Sequence, residues 1–367
     1  MMLRRAMVDM VRLIKAIEKV GPRNAALIAR ITGLPERTVR YWIKVKLPSL
    51  GFVFRPVVDE SRLGLVKHLM RIRFRDDLGH AALSVLDVLG RRAYLTYYAG
   101  LMPHDEFIAL VDLPVNMEDE YKSLLHELVN AGVLDSYELY PLDEVWKTST
   151  DVRYFDFNRG TWALDMVVSD EEVEVGARTT VIKRTDCEEP SIDKIDLLII
   201  KELQKDALQS FTQMAETLGV NEATLRYHYR EHVLGRGMIS GYVVKWHPWG
   251  SLIRGDAVGL VLLSEVDEKM FARMLDVLAK IPFNRFEGIS IERALYILIM
   301  EIPTSWLVST LKLIRDVRPP HGAELAFIDG LRIRRFTVPY ELYDGEAGWI
   351  FDKRSICAEV DRALSLA

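Results

Sequence analysis

Cysteine is scarce: Cys187 and Cys357 are the only two among 367 residues, too few for a disulfide framework or a four-cysteine zinc site. No apolar run approaches the roughly 20 residues that span a bilayer. The opening MMLRRAMVDMVRLIKAIEKV carries charges throughout and lacks the unbroken apolar core of a signal peptide; its apolar residues recur at helical spacing, so a folded helix is expected there. Asn and Gln number only six and three, which points to a thermophilic source. There is no nucleotide-binding glycine loop, no metal-spaced His/Cys cluster and no nucleophile elbow, so no catalytic residue, metal or cofactor is expected. Excess charge is missing too: 48 Lys/Arg against 53 Asp/Glu leave −5, and overall basicity does not announce a nucleic-acid partner. What is present, 49% hydrophobic and 28% charged residues, is the balance of a globular chain, with a cytoplasmic location expected and no membrane partner.

The chain repeats itself. ARITGLPERTVRYW around residue 29 matches AETLGVNEATLRYHY around 215. Gly33 pairs with Gly219, Glu36 with Glu222, Thr38 with Thr224, Arg40 with Arg226 and Tyr41 with Tyr227, each 186 positions apart (219 − 33 = 186). Further on, Leu113-Pro114 matches Ile302-Pro303, and Gly160-Thr161-Trp162 resembles Gly348-Trp349. Such self-similarity decides the fold before any motif does. Between the copies, residues 166–191 are acidic and end at Pro190, as a linker would.

Each copy opens with a head. Met10, Leu13, Ile14 and Ile17 mark one helical stripe, a second helix runs through Ala25 and Ile28, and Gly33 permits a tight turn. Pro35 opens a third helix, expected to stop near Leu47 because Pro48 follows. Phe52 to Val58 then reads as a strand. These are the parts of a winged helix-turn-helix, repeated at Ile195–Leu203, Phe211–Leu218, Glu222 to about Val233 and Met238–Trp246. In the third helices, Arg37, Thr38, Arg40, Tyr41 and Lys44, and Thr224, Arg226, Tyr227 and Arg230, fit an outward, DNA-facing surface, with Lys46, Arg55 and Arg236 as flanking cations. Residues 1–56 hold 12 basic and 3 acidic residues, while 192–247 hold 7 of each. The first head should therefore bind DNA more strongly, and the second supply register or specificity.

Each copy continues with a body in the order β-α-β-β-α-β, a split βαβ sandwich of ferredoxin-like type. Strands are expected at 65–74, 93–98, 106–112 and 134–140, and again at 257–263, 283–288, 294–301 and 324–328. An antiparallel sheet of this kind leaves one face needing cover, and two copies in one chain can cover each other as an intrachain pseudo-dimer. The fold class is thus α+β, a tandem duplication of winged helix-turn-helix plus ferredoxin-like (RAM-like) domain. The expected boundaries are 1–62 and 63–142 for the first head and body, 143–191 for an aromatic tail and acidic linker, 192–250 and 251–335 for the second head and body, and 336–367 for a C-terminal tail. Trp162 and Trp349 are expected to pack against the opposite half.

The combination resembles the Lrp/AsnC (feast/famine) family of transcriptional regulators of bacteria and archaea. The second head carries the clearest likeness, with Ile195-Asp196, Ile200 and Leu203 at its start and the closing Gly237-Met238-Ile239-Ser240-Gly241-Tyr242. The resemblance implies a DNA-binding regulator, not an enzyme, with double-stranded DNA as partner and dimerisation through the sheets, further pairing of chains being left open. It also implies an amino-acid-like effector near the turn between second and third strands, where Gly100, Asp105, Gly288 and Arg293 are the nearest candidates, although the usual Gly-x-x-Asp spacing is not kept. Siroheme decarboxylases look similar and are an alternative, but the stretch Tyr97 to His104 lacks their His-Asn-Tyr-x-Arg pattern. A sequence-tolerant architectural DNA binder is a third reading.

Overall fold

A computed structural model describes residues 2–156, 161–162, 178–184, 190–246, 257–278, 281–317 and 322–366. The acidic residues 170–174 and 186–189, and residues 163–165 of the first aromatic tail, lie outside the described residues. No described helix is long and apolar enough to cross a membrane.

The first head consists of α1 (Met2–Val20), α2 (Ala25–Thr32), α3 (Glu36–Tyr41), α4 (Leu47–Ser49) and the strand β1 (Phe52–Val58). Asn24 caps α2 by accepting the Leu27 N–H at 3.1 Å, and Gly33 closes it in the left-handed conformation, φ 73°. Between α3 and α4 the chain takes a π turn, Trp42–Lys46. Pro48 does not stop the helix near Leu47 as expected. It falls in the first turn of α4, where a missing N–H costs nothing.

The first body holds β2 (Leu65–Phe74), α5 (Ala82–Arg92), β3 (Leu95–Met102), β4 (Glu106–Pro114), α6 (Glu118–Asn130) and β5 (Leu134–Pro141). Four short strands follow: β6 (Glu144–Thr148), β7 (Phe155–Asp156), β8 (Thr161–Trp162) and β9 (Arg178–Lys183). The second head repeats the plan with α7 (Lys194–Lys205), α8 (Phe211–Leu218), α9 (Glu222–Tyr227), a π turn His228–Leu234 and β10 (Ile239–Trp246). The second body is β11 (Ala257–Glu265), α10 (Glu268–Leu278), β12 (Asn284–Ser290), β13 (Leu295–Pro303), α11 (Leu307–Val317) and β14 (Ala323–Arg335). The chain ends with β15 (Tyr343–Asp344), β16 (Gly348–Trp349) and α12 (Lys353–Leu366).

The ferredoxin-like orders β5-β2-β4-β3 and β14-β11-β13-β12 join edge to edge through β3–β14 into a ten-stranded sheet, extended past β12 by β6 and β9. Leu69, Tyr97, Ile108 and Leu110 of the first body pack with Val261, Phe286, Ile297, Ile299 and Ile328 of the second in one buried cluster. The two sheets do cover each other.

The heads join as well. The wing strands β1 and β10 pair antiparallel, with Pro56 opposite Tyr242. Those two positions are 186 apart (242 − 56 = 186), the repeat offset itself, so a residue faces its own copy and the pseudo-two-fold passes between them. Arg23 fastens one head to the other: its guanidinium lies 4.4 Å over the Phe211 ring and donates to the carbonyls of Ala207 and Gln209.

The tails cross over. Trp162 meets Trp246 and Phe283 of the second half at 5.7 and 4.9 Å between ring centroids. Trp349 meets Tyr94 of the first half at 6.0 Å and donates its indole N–H to the Leu63 carbonyl at 2.8 Å. The C-terminal tail also contains α12, a helix not foreseen in the sequence, which buries Ile356 and Val360 and is pinned to α5 by Arg92–Glu359 at 2.9 Å. Phe336, just past β14, lies on Gly90 in α5. A Cβ at Gly90 would sit 2.2 Å from its ring. Alanine is the better helix former by about 1 kcal/mol, yet overpacking here costs more, so Gly90→Ala should lower stability by a net ~1–2 kcal/mol. Urea unfolding checks this; an increase in stability would mean that Phe336 does not hold the second half against α5.

Candidate functional site

The described residues offer three places where polar side chains gather: the outer faces of the heads, a cavity between the halves, and a junction inside the second head.

On the heads, α3 and α9 bury Val39 and Leu225 and turn Arg37, Arg40, Tyr41 and Lys44, and Arg226, Tyr227 and Arg230, to solvent. Thr38, Thr224 and Lys46 are half-buried. The two faces match in detail. Arg40 pairs with Glu36 and Arg226 with Glu222, each at 2.5 Å, and Tyr41 and Tyr227 are 55% and 54% exposed. Arg230 leans on Glu231 at 2.6 Å, and Arg236 is tied to the Ser191 hydroxyl at 2.8 Å. Arg55, expected among the DNA contacts, is placed elsewhere. Because β1 is paired with β10 and is not a free wing, Arg55 reaches the Gln204 carbonyl at the C-terminal end of α7 and opens onto the cavity.

That cavity, about 420 Å³, lies between the wing ribbon, both sheets and α7, in the size range of small-molecule sites. Its cationic lining is Arg55, Lys67, Lys147, Lys205, Lys245, Arg285 and Arg335, against the carboxylates Glu60 and Asp112. Leu65, Leu110, Phe286, Ile299 and Phe336 supply apolar wall. Lys67 is buried between Asp112, its closest partner, and Glu60 at 3.1 Å; Lys147 reaches Glu60 at 2.8 Å. Burial pushes Glu60 toward its neutral form, but Lys147 and Lys67 outweigh it and hold the carboxyl at about 2. For Asp112 burial wins over Lys67, and its pKa is raised. Arg285 is buried, paired with Glu301 at 3.0 Å and donating to the Thr150 hydroxyl at 2.7 Å.

Lys245 differs from these. It is buried, donates only to the carbonyls of Thr148 and Arg285, and has no carboxylate partner among the described residues. Burial first, then the charges of Arg285 and Arg335, hold its ammonium well below the ordinary lysine value. A cavity whose lining carries more cations than carboxylates, with a lysine paired to no carboxylate among the described residues, favours an anionic occupant. The sequence signal for it was a charge inside an apolar strand, Lys67 in LVKHLMRIRF and Lys245 in YVVKW, which was not read as such.

The nominated effector residues do not line this cavity. Asp105 is paired with Arg332 at 2.6 Å, Arg293 lies against Glu292 at 3.6 Å, and a Cβ at Gly100 would touch Arg332 at 3.0 Å. Gly288, inside β12, sits between Val145 and Ile297 in the sheet.

The third gathering was also missed in the sequence. Asp193 and Asp196 at the start of α7 meet His228 and His232 of the π turn after α9, with one ligand atom from each within 4.8 Å of the others. The readable signal was His-x-x-x-His beside Asp-x-x-Asp.

Residues 192–230 match the AsnC-type helix-turn-helix domain, which bears out the Lrp/AsnC resemblance where it was strongest. No curated protein matches the chain by sequence. Among solved structures, the crystal structure of the siroheme decarboxylase NirDL is similar over 96% of this chain and 99% of that one, with TM-score 0.55 and 12% identity. The same protein in complex with an iron-uroporphyrin III analogue gives 0.54 over the same shares at 12% identity. At that identity the likeness is one of fold, and it supports the fused helix-turn-helix and ferredoxin-like architecture. It also corrects the expectation of a non-enzyme. The two-unit architecture taken as a regulator's is that of a crystallised decarboxylase, so the fold gives no ground for excluding catalysis.

The cavity's ion pairs make a direct prediction. Lys67→Met removes the cation beside Asp112 while Lys147 still holds Glu60. Stability should fall by about 3 kcal/mol at pH 8, as for one half of a broken buried pair. The loss should shrink as pH falls through the raised Asp112 pKa, since a protonated carboxyl needs no cation. Urea unfolding across pH reads this; a loss independent of pH would assign the effect to packing.

Proposed function

We propose that the protein, a tandem of AsnC-type units, binds double-stranded DNA through its two heads and takes an anionic small molecule in the cavity between its halves. One observation carries the DNA reading: the solvent face of the third helix keeps the same Arg, Tyr and bracing Glu in both copies, although Arg37 has Ala223 in its place. Arg40 and Arg226, Tyr41 and Tyr227, and the Glu36 and Glu222 that brace the arginines are exposed or half-exposed. Solvent-facing residues have no packing reason to match across a duplication, so their match supports a shared external contact. Arginine forks suit guanine edges and phosphates, and hydroxyls of Thr and Tyr suit phosphates. With 12 basic against 3 acidic residues in 1–56 and 7 against 7 in 192–247, the first head supplies most of the phosphate neutralisation. Arg40→Ala should weaken binding about 10-fold or more, Arg226→Ala less, and Lys44→Ala should reduce the salt slope by about one unit. Fluorescence anisotropy against salt measures all three; unchanged binding in both arginine variants would overturn the DNA reading.

The anionic occupant is supported by Lys245. An anion beside it restores the charged form, so binding takes up a proton whenever the pH lies above the lysine's depressed value. Affinity should therefore strengthen as pH falls toward that value and level off below it, with Arg285, Arg335, Lys147 and Glu301 as the neighbouring charges. Calorimetry with citrate and inorganic phosphate in buffers of different ionisation enthalpy checks the proton uptake; equal heats in all buffers would remove Lys245 from the site.

The likeness of fold to NirDL and the basic lining together favour a second reading, in which a polycarboxylate in this cavity is a substrate. The stretch Tyr97 to His104 departs from the decarboxylase pattern, and His104 is exposed in a turn. Absorbance titration with iron-uroporphyrin III separates the two, and an unchanged spectrum would retire the substrate reading.

A further inference from the structure

The cluster at the root of the second recognition helix is built for a cation. His228 Nδ1 stands 2.9 Å from Asp196 Oδ1 and 3.2 Å from Asp193 Oδ2. His232 Nδ1 stands 3.2 Å from Asp196 Oδ1 and 3.6 Å from Asp193 Oδ2. Bonds of about 2.0–2.1 Å in a tetrahedral zinc site put neighbouring ligand atoms about 3.3–3.4 Å apart, and these four separations bracket that edge. Both histidines turn the same nitrogen toward the same two carboxylates. One N–H donates well to one oxygen, whereas a cation between the four atoms serves all of them.

The carboxylates are held in place independently of the histidines. Asp193 Oδ1 accepts the N–H groups of Ile195 and Asp196 at 2.8 and 3.0 Å, and Asp196 Oδ2 accepts the Asp193 N–H at 3.2 Å. This capping box fixes both side chains and directs Asp193 Oδ2 and Asp196 Oδ1 at the histidines, with Asp196 Oδ2 also 3.2 Å from His232 Nδ1, the outer-shell support that metal ligands need. Asp196 is fully buried, and among the described residues no Lys or Arg is paired with either carboxylate.

The duplication supplies the control. Subtracting 186 places Met7, Met10, Trp42 and Lys46 at the corresponding positions of the first head. There Met10 is buried and Trp42 packs partly buried against the core. The same helix junction therefore folds without any of the four ligands, so the cluster in the second head is not a requirement of the fold.

We propose that Asp193, Asp196, His228 and His232 form a binding site for a borderline divalent metal of the Zn2+ class, which fastens the π turn after α9 to the start of α7. Two imidazoles and two carboxylates suit Zn2+ or Co2+ better than Ca2+ or Mg2+, which take oxygen ligands, or Cu(I), which takes thiolates. The metal sits beneath Tyr227, whose ring centroid is 5.7 and 5.5 Å from those of His228 and His232.

The test uses the full chain stripped with chelator. Titration with CoCl2 should give the visible d–d absorption of tetrahedral Co(II), saturating at one equivalent and displaced by ZnCl2. His232→Gln and Asp196→Asn should each weaken Co(II) binding at least about 100-fold, the upper end of outer-shell losses being exceeded when a ligand itself is removed. A second measurement needs no variant: ZnCl2 should protect His228 and His232 of the unaltered chain from diethylpyrocarbonate, read by peptide mass spectrometry. Absence of the Co(II) band, its persistence in both folded variants, or equal modification with and without zinc would each overturn the assignment.

Discussion

The antiparallel pairing of β1 with β10 is the contact on which the rest of the molecule turns. A wing strand alone would present unpaired N–H and C=O groups along its length. Pairing the two wings about Pro56 and Tyr242 satisfies the facing edge of each strand and sets the symmetry that the bodies follow. β14 then reaches across to β3, with Arg335 opposite Tyr97, while β6 reaches across to β12, with Lys147 opposite Phe286. Holding both units in one chain makes these pairings intramolecular, so they form at an effective concentration set by the linker and independent of protein concentration.

Symmetry of backbone did not keep symmetry of charge. Lys67 faces Asp112 across β2 and β4, and Gly259 faces Glu301 at the matching place across β11 and β13; the offsets are 192 (259 − 67 = 192) for the first strands and 189 (301 − 112 = 189) for the second. Where the first half answers its carboxylate with a lysine on the neighbouring strand, the second leaves that place to glycine and brings Arg285 from β12. Lys147 and Arg335 occupy corresponding positions beside Phe286 and Tyr97. The central cavity thus has cations on both sides of the pseudo-axis with unequal counter-charge, an arrangement that suits one asymmetric anion better than two equal ones.

The duplication, heads and bodies were legible because each rests on local period. The strand 65–74 and the helices through Leu86 and Ile200 follow directly from spacing. Less legible were elements created by the partner half. β6 is a strand because β12 offers an edge, and α12 is a helix laid on α5. Arg55, a candidate flanking cation in the sequence, is turned to the Gln204 carbonyl for the same reason, since its strand is paired with another wing. The cavity and the Asp/His cluster each draw on segments far apart in sequence, where only the oddity of a buried charge, Lys245 or Asp196, marks them.

Helix α7 joins these places mechanically. Its twelve residues make a rod of about 18 Å. At the C-terminal end Gln204 and Lys205 form cavity wall, and Gln204 also accepts the Val338 N–H at 2.7 Å. At the N-terminal end Asp193 and Asp196 grip the π turn that follows α9. A short helix transmits displacement as a rigid body, so whatever fills the cavity and whatever holds the Asp/His junction act on the same element from opposite ends. Coupling between them then requires only that either occupant favour one position of α7 over another, because a ligand shifts an equilibrium by its differential affinity and nothing else. In the first head Met10 and Trp42 stand where Asp196 and His228 make the polar grip.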